Sequence, residues 1–243
     1  MARIFITGSA GGLGRAAAQT LLGVGHDVII HARSPERLAA VHDLIGLGGT
    51  AVVADLADLH QTRALADQVN QLGRLDAVIH NAGVYRGSQI MPVNVVAPYL
   101  LTALIHRPQR LVYLSSGMHR SGRADVAGVD WSGQRTTGSY SDSKLFVATL
   151  AVAVARIWPD VYSNAVDPGW VPTRMGGPGA PDDLRLGHLT QEWLATSDDP
   201  EARSSGGYWF HQRLRAPHPA VGNVHFQGSL LASLAQFTAV RLS

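Results

Sequence analysis

The chain contains no cysteine. That excludes disulfides, a cysteine nucleophile and thiolate metal sites, and it suits a reducing cytoplasm, the expected location. Charge is also sparse. Charged residues are 16% of the 243, the net charge is +2 and the basic residues form no block, so nucleic acid is not an expected partner. The eleven histidines are dispersed without an H-E-x-x-H pattern, and no metal is expected. No apolar run is long and uninterrupted enough to span a bilayer. "MARIFITG" enters a strand-like run directly, with no signal-peptide core. No repeat, linker or low-complexity stretch divides the chain, so a single domain over 1–243 is expected.

What is present is a regular alternation of short apolar runs and helix-like segments. The strand candidates are "RIFIT", "DVIIHA", "TAVVAD", "LDAVIHNAG", "RLVYLSS", "VYSNAVDPG" and "GGYWF". Between them lie "GRAAAQTLLGVG", "SPERLAAVHDLIG", "LHQTRALADQVNQLG", "NVVAPYLLTALIH" and "SYSDSKLFVATLAVAVARIW", each read as a helix; Ser34 is the expected N-cap of the second, with Pro35 at its first position. Strands apolar at nearly every position suit a parallel sheet covered on both faces. The alternation predicts an α/β, doubly wound parallel sheet of about seven strands with helices on both faces. Ligands in such sheets bind beyond the carboxyl ends of the strands, near the switch point.

The residues after each strand therefore matter most. After the first comes "TGSAGGLGRA", with Gly8, Gly12 and Gly14 for a tight turn, close approach to a pyrophosphate and close helix packing; Ser9, Gly11 and Leu13 complete the candidate phosphate turn. After the second, an NAD site wants a carboxylate for the adenosine ribose. Here stand Arg33 and Ser34, suited to a 2′-phosphate through charge-assisted hydrogen bonds, so NADP(H) is preferred and NAD(H) is the lesser alternative. Arg37, one turn on, reads as a contributor or a surface charge. After the third strand, Asp55 suits the adenine amino group or the N-cap of the next helix, with Leu56 packing nearby. After the fourth, Asn81 can tie strand ends together, and Ala82 with Gly83 leaves room for a ribose. Ser115 and Ser116 follow the fifth. After the sixth, Pro168 and Gly169 turn the chain toward a nicotinamide, and Val171 and Thr173 complete the candidate cofactor contacts. Tyr140 and Lys144 are four residues apart and share one helix face.

Taken in order, "TGSAGGLG", "ADL", "NAG", Asn94 in "PVNVVAPYLL", "LVYLSSGMHR", "YSDSK" and "DPGWVPT" resemble the short-chain dehydrogenase/reductase family over essentially the whole chain. The "SSGMHR", "DW" and "SYSDSKL" pieces are most similar to its retinol-dehydrogenase-like branch. The resemblance implies a Rossmann fold and a catalytic set of Asn94, Ser116, Tyr140 and Lys144. Tyr140 would exchange the proton with the substrate oxygen. Lys144 would lower the phenol's pKa and hold ribose hydroxyls. Ser116 would place the substrate oxygen, with Ser115 as the alternative and Ser121 or Ser139 behind it; Asn94 would hold a water linking Lys144 to solvent. Tyr140 and Lys144 would also touch the cofactor.

Two departures stand out. The gap between the serine pair and Tyr140 is about twice the usual length, and "VYRGSQIMPV" between Gly83 and Asn94 is short. The resemblance also implies a substrate lid over about 174–196. Met175, Leu184, Leu189 and Trp193 would line it, or Leu189 and Trp193 would simply pack its helix on the body. Tyr85, Trp131 and Trp170 are further wall candidates. The expected partner is a small carbonyl or alcohol of apolar character. Homodimers or homotetramers are expected to pair through the helices carrying Asn94 and Tyr140, where "VATLAVAVARI" reads as core or interface. A redox-sensing binding protein without turnover is the competing class. A lyase, epimerase or dehydratase is a third.

Overall fold

In the computed structural model, which describes residues 1–242, the strands are β1 (Arg3–Ile6), β2 (Asp27–Ala32), β3 (Thr50–Val53), β4 (Ala77–His80), β5 (Arg110–Leu114), β6 (Tyr162–Asp167), β7 (Tyr208–Phe210) and β8 (Arg213–Leu214). They form one sheet in the order β3-β2-β1-β4-β5-β6-β7-β8. Every pair is parallel except β7 with β8. The sheet thus has eight strands where seven were expected. The two-residue β8 turns back on β7 through His211 and Gln212, both at positive φ.

Side chains alternate across the sheet with the period of a strand. Phe5, Ile29, Val78, Leu111 and Tyr113 enter the core on one face. Ile4, Ile6, Val28, Ile30, Ile79 and Val112 enter the core on the other. The first face is covered by α3 (Leu59–Gln71), α4 (Ala97–Leu104), α5 (Tyr140–Ile157) and α7 (Val224–Thr238). The second carries α1 (Gly12–Gly23), α2 (His42–Gly46) and α6 (Leu184–Thr196).

Local chemistry explains the departures from a simple helix pattern. The second expected helix is a 3-10 segment, Pro35–Val41, followed by the short α2. Ser34 does occupy its N-cap, but its hydroxyl makes no capping bond. Asp55 is not the cap of α3. Asp58 is, accepting from the N–H groups of His60 and Gln61, while Asp55 accepts from Ala57 N–H at 3.0 Å. A π-helical turn, Pro92–Val96, precedes α4 and holds Asn94. Such turns recur where a helix must aim a functional side chain.

Residues of "VATLAVAVARI" from Val147 to Ala151, with Ala153 and Val154, are buried within the chain, under α7 and the 3-10 turn Pro219–Gly222. That stretch is core. Among the described residues no helix is long and apolar enough to cross a membrane.

Candidate active site

β1 pairs with β2 on one side and β4 on the other, so the order reverses between β1 and β4. The glycine turn lies at that point. Gly8 sits at φ 67°, and a Cβ there would lie 2.9 Å from Ala82 Cα. Gly11 has open space where a side chain would be, and α1 starts behind it with no side-chain cap. The helix start is therefore free to meet an anion. Asn81 locks the turn to the neighbouring strand: its Nδ2 donates to Thr7 O at 2.9 Å and Gly8 O at 3.3 Å, and its N–H donates to Thr7 Oγ1 at 3.0 Å.

A cavity of about 1010 Å³ runs along these strand ends. Gly8, Gly11, Gly12, Leu13, Arg33, Asp55 and Leu56 line one part; Asn81, Ala82, Gly83, Tyr140, Lys144, Pro168 and Thr173 line the rest. Other expected contacts act from behind the wall. Ser9 is fully buried, donating to Ile6 O and accepting from His31 N–H, both at 2.8 Å. Gly14 lies against Asn81, Val171 is buried against Gly187, and Gly169 packs on Asp182. Neither Ser34 nor Gly169 is part of the lining.

Tyr140 is placed by the start of α5. Ser139 Oγ accepts from Asp142 N–H at 3.1 Å, and Asp142 returns the bond to Ser139 N–H at 2.9 Å. This capping box fixes the first helical residue, Tyr140. Lys144 follows one turn later, buried, its Nζ donating to Leu114 O at 2.7 Å and lying 5.5 Å from the Tyr140 ring centroid. Burial pulls the Lys144 ammonium down to about 8, partly offset by the charge of Asp167. Burial also pushes the Tyr140 phenol up to about 12, against a hydrogen bond with Ser116 that pulls it down. Burial is the largest cause of the phenol's rise, and the charges of Asp167 and Tyr85 add to it.

The two serines separate clearly. Ser115 is buried and donates to Lys144 O at 2.8 Å, a structural bond between β5 and α5. Ser116 Oγ accepts from Met118 N–H at 3.2 Å, and its hydroxyl is near enough to Tyr140 to pull the phenol's pKa down, although Ser115 rather than Ser116 is in the cavity lining. Asn94 accepts from Val84 N–H at 2.8 Å and donates to Val84 O at 3.0 Å and Ser143 Oγ at 2.9 Å. Ser143 then donates to Tyr140 O at 2.7 Å. A Cβ on Gly83 would lie 3.4 Å from Asn94 Oδ1 and 3.5 Å from Lys144 Nζ, so the missing side chain leaves a gap that touches both.

Tyr85 and Met175 form the outer wall. The Tyr85 ring meets Tyr140 edge-on at 4.8 Å, and Tyr140 Oη is 4.0 Å from Met175 Sδ. Trp131 is instead in the core, its indole bonded to Ser233. The segment read as a lid divides in two. Its loop, 174–183, is tied down by Trp170, whose Nε1 donates to Gly176 O at 2.9 Å and whose N–H donates to Asp182 Oδ2 at 2.5 Å. Its helix, α6, packs on the body through Leu194 and Ala195, and Trp193 stacks edge-on against Trp209. Leu184 is exposed and does not line the cavity.

Two histidines that read as background in the sequence brace the site. His31 Nδ1 accepts from Gly8 N–H at 2.9 Å, so its Nε2 carries the proton to Ala54 O at 2.9 Å. One side chain thereby joins the glycine turn to the end of β3. His119 Nε2 accepts from His218 N–H at 3.0 Å, and its Nδ1 lies 2.7 Å from Ser116 O. The only legible signal for either was a histidine beside a strand end.

The strand order with a glycine turn at its reversal defines the class first: a doubly wound α/β protein of the kind that binds nucleotides at that point. The model of the short chain dehydrogenases matches residues 2–183. An uncharacterized oxidoreductase of Emericella nidulans is 36% identical over 99% of this chain and 98% of its own. The short-chain dehydrogenase chyC of Penicillium rubens is 34% identical over 100% of this chain and 99% of its own. An Escherichia coli chain solved in complex with NADPH is 25% identical, with a TM-score of 0.69 over 87% of this chain and 97% of that one. The chain belongs to the short-chain dehydrogenase family and is an oxidoreductase of that type.

Proposed function

We propose that the chain is an NADP(H)-dependent reductase of a carbonyl substrate, reversible to oxidation of the alcohol, with Tyr140 as the general acid. The observation that carries this reading is the placement of Tyr140. Tyr140 lines the same cavity as the open glycine turn, with the buried Lys144 Nζ 5.5 Å from its ring centroid.

The turn fits a dinucleotide pyrophosphate because the start of α1 has no side-chain cap and the space beside Gly11 is open. Arg33 and Arg37 line the cavity, and the one carboxylate in its lining is Asp55, which favours a 2′-phosphate over a bare ribose. The nicotinamide, when bound, supplies or accepts the hydride. The protein supplies the rest. Ser116 holds the carbonyl oxygen against Tyr140 Oη, which donates its proton to that oxygen. The phenol's high value keeps it protonated, and so ready to donate, at neutral pH. The charge of Lys144 stabilises the phenolate left behind, and the gap at Gly83, which touches both Lys144 and Asn94, leaves room for a water that would return a proton from solvent. Asn94 also holds Tyr140 through Ser143, as an anchor of α5.

The test is NADPH oxidation against a broad carbonyl panel. Turnover of at least one member is expected. Tight NADPH binding with no turnover of any member would favour the redox-sensor reading instead.

A further inference from the structure

We infer that the substrate carries an anionic group, a carboxylate or its equivalent, held by Arg86 and Arg174 at the mouth of the cavity. This rests on the reading of the site as a carbonyl reductase and adds the substrate class.

Each arginine adjoins a side chain that touches Tyr140. Arg86 follows Tyr85, whose ring meets Tyr140 at 4.8 Å, and the Arg86 guanidinium lies over that same ring, 5.7 Å from its centroid. Arg174 precedes Met175, whose sulfur is 4.0 Å from Tyr140 Oη. Both line the cavity. Neither has an acidic partner in the ion pairs of the described residues. The one carboxylate in the lining, Asp55, follows β3, three strands from β4 in the sheet order, and Asp167, whose charge reaches Tyr140, accepts from Gly169 N–H at 3.0 Å. Stacking on Tyr85 reduces the orientational freedom Arg86 would lose on pairing, and a guanidinium offers two parallel donors to a carboxylate. A purely apolar substrate would leave both cations without a function at the point where it enters.

The test uses the full chain with NADPH and three aryl ketones, benzoylformate, benzoylpropionate and benzoylbutyrate, each against its methyl ester. For at least one pair, kcat/KM for the acid should exceed that for the ester by about tenfold, the weight of a charge-assisted hydrogen bond. That ratio should fall about tenfold in Arg86→Gln and in Arg174→Gln, mainly through KM, and should shrink as salt rises. Equal use of acid and ester in all three pairs would overturn the inference, as would variants that lower both in parallel. NADPH affinity is measured alongside. If Arg86→Gln and Arg174→Gln weaken NADPH about tenfold with the acid-to-ester ratio unchanged, the arginines serve the cofactor and the inference fails. If no ketone is turned over, the reductase reading is what fails. Calorimetric titration of phenylbutyrate into the NADPH complex then decides the anion site. Binding weakened in Arg86→Gln supports it, and no binding to the wild-type chain overturns it.

Discussion

Gly14→Ala sets two opposing terms against each other inside α1. In an open helix the exchange would gain about 1 kcal/mol from propensity. Here the new Cβ would lie 2.3 Å from Asn81 Nδ2, 2.9 Å from Asn81 Cγ and 2.9 Å from Gly8 O. The amide can leave only by giving up its bonds to Thr7 O and Gly8 O. A buried carbonyl left without a partner costs about 1–3 kcal/mol. Gly8 is held in its turn by its N–H bond to His31 Nδ1 at 2.9 Å, so its carbonyl cannot simply withdraw. The losses outweigh the gain, and net destabilisation of about 1–3 kcal/mol is expected. For a chain of this length that lowers Tm by roughly 3–10 °C. The assay is thermal unfolding followed by circular dichroism, with and without NADPH, and NADPH affinity should fall as well because the phosphate turn moves. Gly23→Ala, at the other end of the same helix with nothing within 4 Å of its new Cβ, is the control and should be neutral or slightly stabilising. A Gly14→Ala chain as stable as wild type, binding NADPH within about threefold, would refute the packing argument.

Other expectations follow from the same geometry. Arg33→Ala should weaken NADPH by about 10- to 100-fold and NADH by no more than about threefold, read by fluorescence titration; equal losses would remove the 2′-phosphate argument. The pH dependence of carbonyl reduction should be flat near neutrality and fall above about 8, where Lys144 loses its proton. The sign follows from the direction of the shift. A lysine with a lowered value is charged only below it, so its support for the phenolate is lost as pH rises. Lys144→Met should abolish that break, and a wild-type rate that stays level to about pH 10 would contradict the role given to Lys144.

The parts legible in the sequence were those encoded locally. Four- to six-residue apolar runs mark β1 to β6 because a strand buried on both faces needs no polar alternation. The run "SYSDSKLFVATLAVAVARIW" marks α5 and hence the helix face of Tyr140 and Lys144, while the capping box of Ser139 and Asp142 that starts it was seen only in the structure. The glycine spacing around Gly8 marks the turn at the sheet's reversal. What was not legible depends on partners far along the chain. Nothing near Ser115 or Ser116 says which hydroxyl turns to Lys144 O and which accepts from Met118 N–H at the next 3-10 turn. His31 reads as one more residue of an apolar strand until Gly8 N–H and Ala54 O are brought to its two nitrogens. β8 has only two residues, too few for any periodicity. α7 escaped because its buried face rests on Phe226, Leu230 and Leu234 among small and apolar neighbours. That helix covers α5, so "VATLAVAVARI" is core, a result that turns on residues some seventy positions later.

The proton donor is the centre of the account, and Tyr140→Phe tests it most directly. The exchange removes one hydroxyl and keeps the ring that packs on Tyr85. With a carbonyl that the wild-type chain reduces, kcat should fall by at least about 100-fold, the lower end of what a positioned acid contributes, while NADPH affinity stays within about twofold. A Tyr140→Phe chain that retains activity within about tenfold of wild type would contradict it.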